Sequence, residues 1–215
     1  GSTRDFSFGI AKDFPRNRVV LIDRPGHGWT YPDSDTGRHA HLTPQDQARL
    51  IWQTLDALDV HAPLLIGHSF GGAVALAMGL ARPGAARGLV AIAPAASPNI
   101  PSLGLAGFAP IMRVSEPMAV AAAMLATDAV IESFIARIFA PDPIPEVYID
   151  HFGPRLALMQ GRHAHRLCQI AVLRESLAAM AGAYASLALP CMVIHGTEDR
   201  VLRYAHHGVW LANRI

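Results

Sequence analysis

The chain has 215 residues, of which 51% are hydrophobic and 16% charged, so it is long and apolar enough for one domain or for one domain with a large insertion. Its mean hydropathy of +0.25 argues against intrinsic disorder. A formal net charge of +1 without a basic stripe argues against nucleic acid as a partner.

Strands and helices alternate in the first half of the predicted secondary structure. The predicted elements are a short helix over 3–14, a strand over 18–23, a helix from Thr43 to about Val60, a strand over 63–67, a helix over 73–81 and a strand over 89–93. The helix over 73–81 is apolar nearly all round, so we expect it to be buried. This alternation predicts an α/β fold, a mostly parallel sheet with helices on both faces.

Thr43 is the clearest helix start in the chain. Its hydroxyl can cap the helix, Pro44 suits the first turn, and Asp46 is favourable near the positive end of the helix dipole.

The alternation stops at Pro98 and resumes only near Pro190. The intervening segment is helix-like and rich in Ala, Met, Leu and Pro, which favours an inserted helical subdomain over a loop. We therefore predict a core in two parts, 1–97 and 188–215, and a helical insertion over 98–187. The second part is predicted to hold a strand over 191–195, a turn, and a helix from about Val201 to Asn213.

A G-x-S-x-G motif, Gly67 to Gly71, lies between a predicted strand and a predicted helix. Such an abrupt turn strains the corner residue, and we expect side chains two positions to either side to clash, which explains both glycines. Ser69 is then exposed at the carboxyl edge of the sheet, near the positive end of the next helix dipole. The motif predicts Ser69 as a nucleophile. The simpler alternative is a serine that only starts a helix.

Four features in this order resemble the α/β-hydrolase family. They are Asp23 to Gly28 (DRPGHG), Gly67 to Gly72 (GHSFGG), the helical insertion, and His195-Gly196-x-x-Asp199 after the last strand. The resemblance implies that Ser69 is the nucleophile, that Asp199 orients a catalytic histidine, and that the N–H of Phe70 is an oxyanion-hole donor. It also implies that the insertion is a cap over the active site. Serine at position 69 points to acyl transfer, in contrast to relatives that attack with aspartate.

The sequence departs from the family pattern at both ends. The family's catalytic histidine follows one more helix and strand after the acid, so we expect it beyond Ile215. The second oxyanion donor is expected before Gly1. The simplest account is that these 215 residues are an internal part of a longer protein.

Other roles remain open for several of these residues. Asp199 could be an ion-pair partner of nearby arginines, in which case Glu198 is the next candidate acid. Asp23 is expected to be structural, bonding the amides of its own loop. His68 is expected to point away from the nucleophile, and His206 and His207 to lie on the outside of the last helix. His27 is placed in a loop near the mouth of the site.

No metal or cofactor is implied by the sequence. The histidine pairs at 39 and 41, 163 and 165, and 206 and 207 lack further ligands at recognisable spacing. Cys168 and Cys191 are expected to be buried free thiols. No membrane span or targeting signal is visible, so we expect no stable membrane insertion and a cytoplasmic location. A homodimer is a possible assembly.

The leading functional hypothesis is a serine hydrolase that cleaves a small or medium apolar carboxylic ester or related acyl compound. A thioesterase, a carbon–carbon bond hydrolase and a cofactor-free haloperoxidase would use the same triad. The alternative from a different class is a non-catalytic ligand-binding protein of the same fold.

Overall fold

The computed structural model describes residues 3–30, 42–99, 128–146, 148–149 and 162–215. The chain forms two compact units, one made of 1–41 with 108–168 and the other of 42–107 with 169–215. In chain order the elements are α1 (Thr3–Phe8), a 3₁₀ turn (Ile10–Asp13), α2 (Pro44–Ala57), β1 (Leu64–His68), α3 (Phe70–Ala81), β2 (Gly88–Ile92), α4 (Asp128–Phe139), α5 (Arg162–Ala181), a 3₁₀ turn (Tyr184–Ser186), β3 (Cys191–Ile194), a π-helical turn (Ala205–Val209) and α6 (Trp210–Ala212).

The second unit is built on a parallel sheet of three strands in the order β1-β2-β3. The register pairs Leu64 of β1 with Gly88 of β2, and Leu89 of β2 with Cys191 of β3. The strands predicted over 63–67, 89–93 and 191–195 are therefore confirmed to within one residue at each end. The α/β class with a parallel sheet and helices is confirmed as well.

Helix α3 forms the centre of the core of this unit. It packs on β1 and β2 and against α2. Eight consecutive residues, Gly72 to Gly79, are buried, as the apolar composition of the helix predicts. Trp52 of α2 is 3% exposed and donates its indole N–H to the carbonyl oxygen of Met78 at 3.1 Å, so the α2–α3 contact is polar as well as apolar.

The start of α2 is a complete capping box. The hydroxyl of Thr43 accepts a hydrogen bond from the N–H of Asp46 at 3.1 Å, and the carboxylate of Asp46 accepts one from the N–H of Thr43 at 3.2 Å. Pro44 is the first helical residue. The predicted helix start is confirmed, and the helix ends at Ala57, before the predicted Val60.

The prediction of a strand over 18–23 is wrong. In the structure these residues belong to no strand, and Val19 and Leu21 are 43% and 37% exposed. A run of β-branched residues becomes a strand only when a neighbouring chain completes its hydrogen bonds, and among the described residues none pairs with this segment. The helix predicted over 3–14 is present as α1 followed by a 3₁₀ turn.

The predicted helix over 201–213 begins later than expected. Its first turn is replaced by a loop, since Asp199 Oδ1 accepts hydrogen bonds from the N–H groups of Val201 and Leu202 at 2.8 and 2.9 Å. The chain is helical only from the π-helical turn into α6. The carboxylate of Asp199 thus binds backbone N–H groups at the point where a helix was predicted to begin, and the chain forms a loop there.

The described part of the predicted insertion over 98–187 contains α4, the whole of α5 and the 3₁₀ turn Tyr184–Ser186. Its extent as a separate cap remains a prediction. Within the described residues, no helix has the length and apolar character needed to cross a membrane.

Candidate active site

The carboxyl edge of the parallel sheet brings the predicted site residues to one side of the second unit. In the register of the sheet His68, Ile92 and Ile194 end their strands side by side. The pairing continues past the strands, because Ser69 N–H donates to Ile92 O at 3.0 Å and Ala93 N–H donates to Ile194 O at 2.7 Å. Ser69 and the loop that holds Asp199 thus leave the sheet at the same edge, separated by β2.

Ser69 is the single residue between β1 and α3. Its backbone dihedrals are φ 56° and ψ −120°, a conformation that residues with a side chain rarely adopt. The strained turn is held by its own backbone: Ser69 O accepts hydrogen bonds from the N–H groups of Gly72 at 2.9 Å and Ala95 at 3.0 Å. The side chain of Ser69 is half-buried.

Close packing explains two glycines near this turn, but only one of them was expected. A Cβ at Gly67 would lie 2.2 Å from Gly71 O, and a Cβ at Gly72 would lie 2.7 Å from the Cβ of Pro94. The expectation that Gly71 is also required by a clash is wrong, because a Cβ there would meet no described atom within 4 Å apart from its chain neighbours and the backbone of its own helix. The second position that requires glycine is therefore Gly72, and the residue that requires it is Pro94 in the loop after β2.

Phe70, the predicted oxyanion-hole donor, is the first residue of α3 and is half-buried. Its N–H belongs to the first turn of this helix, where the helix dipole favours negative charge. The position is suitable for a developing oxyanion, and the role itself remains a prediction.

Asp199 lies in the turn after β3 and its carboxylate is well supported. Oδ1 accepts the N–H groups of Val201 and Leu202, and Oδ2 lies 3.3 Å from Nε2 of His195. Burial raises the pKa of Asp199, but the hydrogen bonds from His195 and from the two backbone N–H groups lower it more, so the carboxyl titrates below its usual range. At neutral pH the group is a half-buried carboxylate, as the acid of a triad must be.

His195 is a contact of the acid that sequence reasoning missed. Its side chain is 1% exposed, and Nε2 lies 2.6 Å from the carbonyl oxygen of Leu202 as well as near Asp199. The motif His195-Gly196-x-x-Asp199 contained a signal, since a spacing of four residues across a tight turn can bring the two side chains together. The sequence alone does not show which way the side chain of His195 points.

His207 is buried, and the expectation that it lies outside is wrong. Its ring is 1% exposed, and Nδ1 accepts hydrogen bonds from the N–H groups of Ala96 and Ser97, both at 3.2 Å. Burial, with the nearby charges of His195 and His206, lowers the pKa of His207 from 6.5 to about 4. The expectation holds for His206, which is exposed.

The first unit contains the loop that carries Asp23 and His27. Asp23 accepts hydrogen bonds from the N–H of Trp29 at 3.0 Å and from the N–H of Thr3 at 2.8 Å, so the structural role predicted for it is confirmed. His27 Nε2 lies 2.9 Å from the guanidinium of Arg24, and Nδ1 lies 3.2 Å from Pro25 O. Both ring nitrogens of His27 are therefore engaged within the loop.

The base of the proposed triad is not identified within the described residues. No described histidine hydrogen-bonds to the Ser69 hydroxyl, and the rings of His195 and His207 are buried around the loop of the acid. The same residues contain no group of three or more His, Cys, Asp or Glu that could hold a metal ion. Cys191 is a half-buried free thiol whose pKa is raised by burial. The side chain of Cys168 lies outside the described residues, as do the histidines at 39 and 41 and the side chains of those at 163 and 165.

Solved structures share this fold over the whole chain. An α/β-hydrolase fold protein from Burkholderia ambifaria is 22% identical with a TM-score of 0.72, and the match covers 100% of this chain and 75% of that one. A hydrolase from Oleispira antarctica is 13% identical with a TM-score of 0.73 and the same coverage. A hydrolase from Pseudomonas aeruginosa is 21% identical with a TM-score of 0.61, covering 100% of this chain and 74% of that one.

No curated protein matches the sequence. A family model described as the alpha/beta hydrolase family does match it, over residues 4–213. These residues span nearly the whole chain, including the strained turn at Ser69 and the carboxylate at Asp199. The chain belongs to the α/β-hydrolase family.

Proposed function

We propose that the protein is a serine hydrolase that cleaves a small or medium apolar carboxylic ester through an acyl-enzyme intermediate. The observation that carries the proposal is the backbone of Ser69, with φ 56° and ψ −120°, fixed by backbone hydrogen bonds to Ile92, Gly72 and Ala95. Such strain costs about 1–3 kcal/mol, and strain of this kind clusters at functional sites. A serine that only starts a helix needs no such conformation, and its side chain would cap α3, which Ser69 does not do.

The reaction begins when a histidine base takes the proton of the Ser69 hydroxyl while Oγ bonds to the carbonyl carbon of the ester. The resulting oxyanion accepts a hydrogen bond from the N–H of Phe70. The bond to the alkoxy oxygen then breaks, and the proton held by the base passes to the leaving alcohol. In the second half, water gives a proton to the same base and adds to the acyl carbon. The bond between this carbon and Oγ then breaks, the base returns the proton to Oγ, and the acid is released.

Asp199 has the properties that this cycle needs from its acid. Its low pKa keeps it anionic through the neutral range, and its backbone hydrogen bonds fix its orientation. A carboxylate held in this way would select one tautomer of the base and stabilise the imidazolium formed after proton transfer. The apolar composition of the segment over 98–187 supports an apolar acyl group as substrate.

The test combines hydrolysis with covalent trapping. Purified protein is assayed with p-nitrophenyl acetate, butyrate and octanoate, and its intact mass is measured after treatment with a fluorophosphonate. We expect turnover and a single adduct, both lost in Ser69→Ala. Ser186→Ala is the matched control, because Ser186 is exposed and bonds only within its own turn. Turnover or labelling that survives in Ser69→Ala would refute the proposal.

A non-catalytic ligand-binding protein of the same fold is the second candidate. The observation that favours it is that no described histidine hydrogen-bonds to Ser69. In that case fluorophosphonate would leave the mass unchanged, while an apolar ester would still bind. Isothermal titration with an uncleaved ester, run beside the trapping experiment, separates the two candidates.

A further inference from the structure

One ring nitrogen of His195, Nε2, lies close to two oxygen atoms. Nε2 lies 2.6 Å from the carbonyl oxygen of Leu202 and 3.3 Å from Oδ2 of Asp199. A carbonyl oxygen can only accept, so Nε2 carries the proton and donates to both oxygens. Nδ1 is buried without a hydrogen-bond partner among the described residues, so the described hydrogen bonds of the ring are all made by Nε2.

The ring is also fixed in place by its surroundings. A Cβ at Gly208 would lie 2.9 Å from Nδ1 of His195 and 3.0 Å from Cβ and Cγ, so any side chain at position 208 would push the ring away. The ring of Tyr204 makes an edge contact with the ring of His195, at 5.9 Å between the centroids. With 1% exposure, His195 can neither contact a substrate nor move freely.

The two oxygens of Asp199 are supported differently. Oδ1 accepts two short backbone hydrogen bonds, from Val201 and Leu202, and its acceptor capacity is filled. Oδ2 receives only the longer, shared contact from His195, and so retains a lone pair. The side chain of Asp199 is 19% exposed, so the carboxylate is not fully enclosed by the described residues.

We propose that His195 is a positioning residue for the acid, whose Nε2–H fixes the Asp199 carboxylate so that Oδ2 is presented to the catalytic base. This inference rests on the proposed function, because His195 acts only through Asp199. A buried ring with little freedom suits the task, because it holds its N–H, and with it the carboxylate, in one orientation.

The variants separate the hydrogen bond from the bulk of the ring. His195→Phe keeps an aromatic ring and removes the donor, whereas the amide of His195→Gln can reach the place of Nε2. His195→Asn reaches only the place of Nδ1 and serves as a second donorless variant if the phenylalanine disturbs folding. His206→Phe is the matched control, because His206 is exposed on the neighbouring turn. Melting temperature is recorded for each variant.

With p-nitrophenyl butyrate we expect His195→Phe and His195→Asn to lower kcat by about tenfold or more, with KM unchanged. His195→Gln should retain kcat within about threefold, and His206→Phe should match the parent protein. In an Asp199→Ala background, His195→Phe or His195→Asn should cause no further loss, because the residue through which His195 acts is already gone.

The outcomes distinguish a failure of this inference from a failure of the proposed serine-hydrolase function. If turnover depends on Ser69 but the donorless variants keep their kcat, or if their losses multiply with that of Asp199→Ala, the inference is wrong and the proposed function stands. If turnover does not depend on Ser69, the proposed function fails and the inference fails with it.

Discussion

A Cβ atom at Gly67 would lie 2.2 Å from the carbonyl oxygen of Gly71, whereas a Cβ at Gly71 would meet no described atom within 4 Å beyond its chain neighbours and its own helix backbone. A side chain at position 67 is therefore excluded by nearby backbone, whereas a side chain at position 71 is not. Gly67 faces fixed backbone in the first turn of α3, and that backbone can yield only by opening the turn around Ser69.

The pair gives a direct test by substitution. Gly67→Ala should lower the free energy of unfolding by about 3 kcal/mol or more, because the overlap is with backbone and cannot be relieved by a rotamer change. Gly71→Ala should change it by less than about 1 kcal/mol, since alanine also favours the helix. Urea unfolding followed by circular dichroism measures both. Equal losses would show that Gly71 is confined as tightly as Gly67.

The capping box at the start of α2 predicts a smaller and purely local effect. Thr43→Ala removes the acceptor for the N–H of Asp46 and the donor to its carboxylate, so stability should fall by about 1 kcal/mol. Thr54→Ala is the control within the same helix: its hydroxyl bonds only to Leu50 O at an exposed site, and its loss should cost less than about 0.5 kcal/mol. Chemical denaturation of the two variants measures both losses. A larger loss of stability in Thr54→Ala than in Thr43→Ala would contradict the prediction.

Features encoded over a few consecutive residues were predictable from the sequence. The capped start of α2, the burial of α3 and the position of Ser69 between a strand and a helix each depend on local pattern and on turn chemistry. The register of the sheet then places Ser69 and the loop of Asp199 at one edge, as the alternation of strands and helices predicted.

Features that depend on distant partners were not predictable. The segment over 18–23 has the composition of a strand, but no described segment pairs with it. His207 looks like a surface residue of a terminal helix, and only the folded chain brings it to the N–H groups of Ala96 and Ser97, more than a hundred residues earlier. The constraint on Gly72 likewise comes from Pro94, in the loop after the neighbouring strand β2. Spacing along a sequence does not contain such relationships.

The buried state of His207 predicts that stability depends on pH. In the unfolded chain this histidine takes up a proton near pH 6.5, whereas in the folded chain its pKa is about 4. The unfolded state therefore binds more protons between these values, and the free energy of unfolding should fall as the pH is lowered through that window. From pH 7 to pH 5 the loss due to His207 should be about 2 kcal/mol.

Urea unfolding at both pH values, with two asparagine variants, isolates this contribution. His207→Asn keeps an acceptor near the place of Nδ1 but cannot take up a proton, so its stability should depend less on pH. His206→Asn should keep the slope of the parent protein, since His206 is exposed. An unchanged slope in His207→Asn would mean that His207 is not the group that titrates.

The strained backbone of Ser69 predicts that activity and stability oppose each other at this residue. Ser69→Ala and Ser69→Gly both remove the hydroxyl, so both should abolish turnover. Only glycine adopts φ 56° and ψ −120° without strain, which costs other residues about 1–3 kcal/mol. Glycine also raises the conformational entropy of the unfolded chain, which lowers the free energy of unfolding by roughly 0.5–1 kcal/mol. Because the relieved strain is larger than this loss, the free energy of unfolding of Ser69→Gly should be about 1 kcal/mol higher than that of Ser69→Ala. Paired denaturation curves measure this difference directly. A glycine variant less stable than the alanine variant would mean that the turn at Ser69 is not strained, and the main support for a nucleophile at this position would be lost.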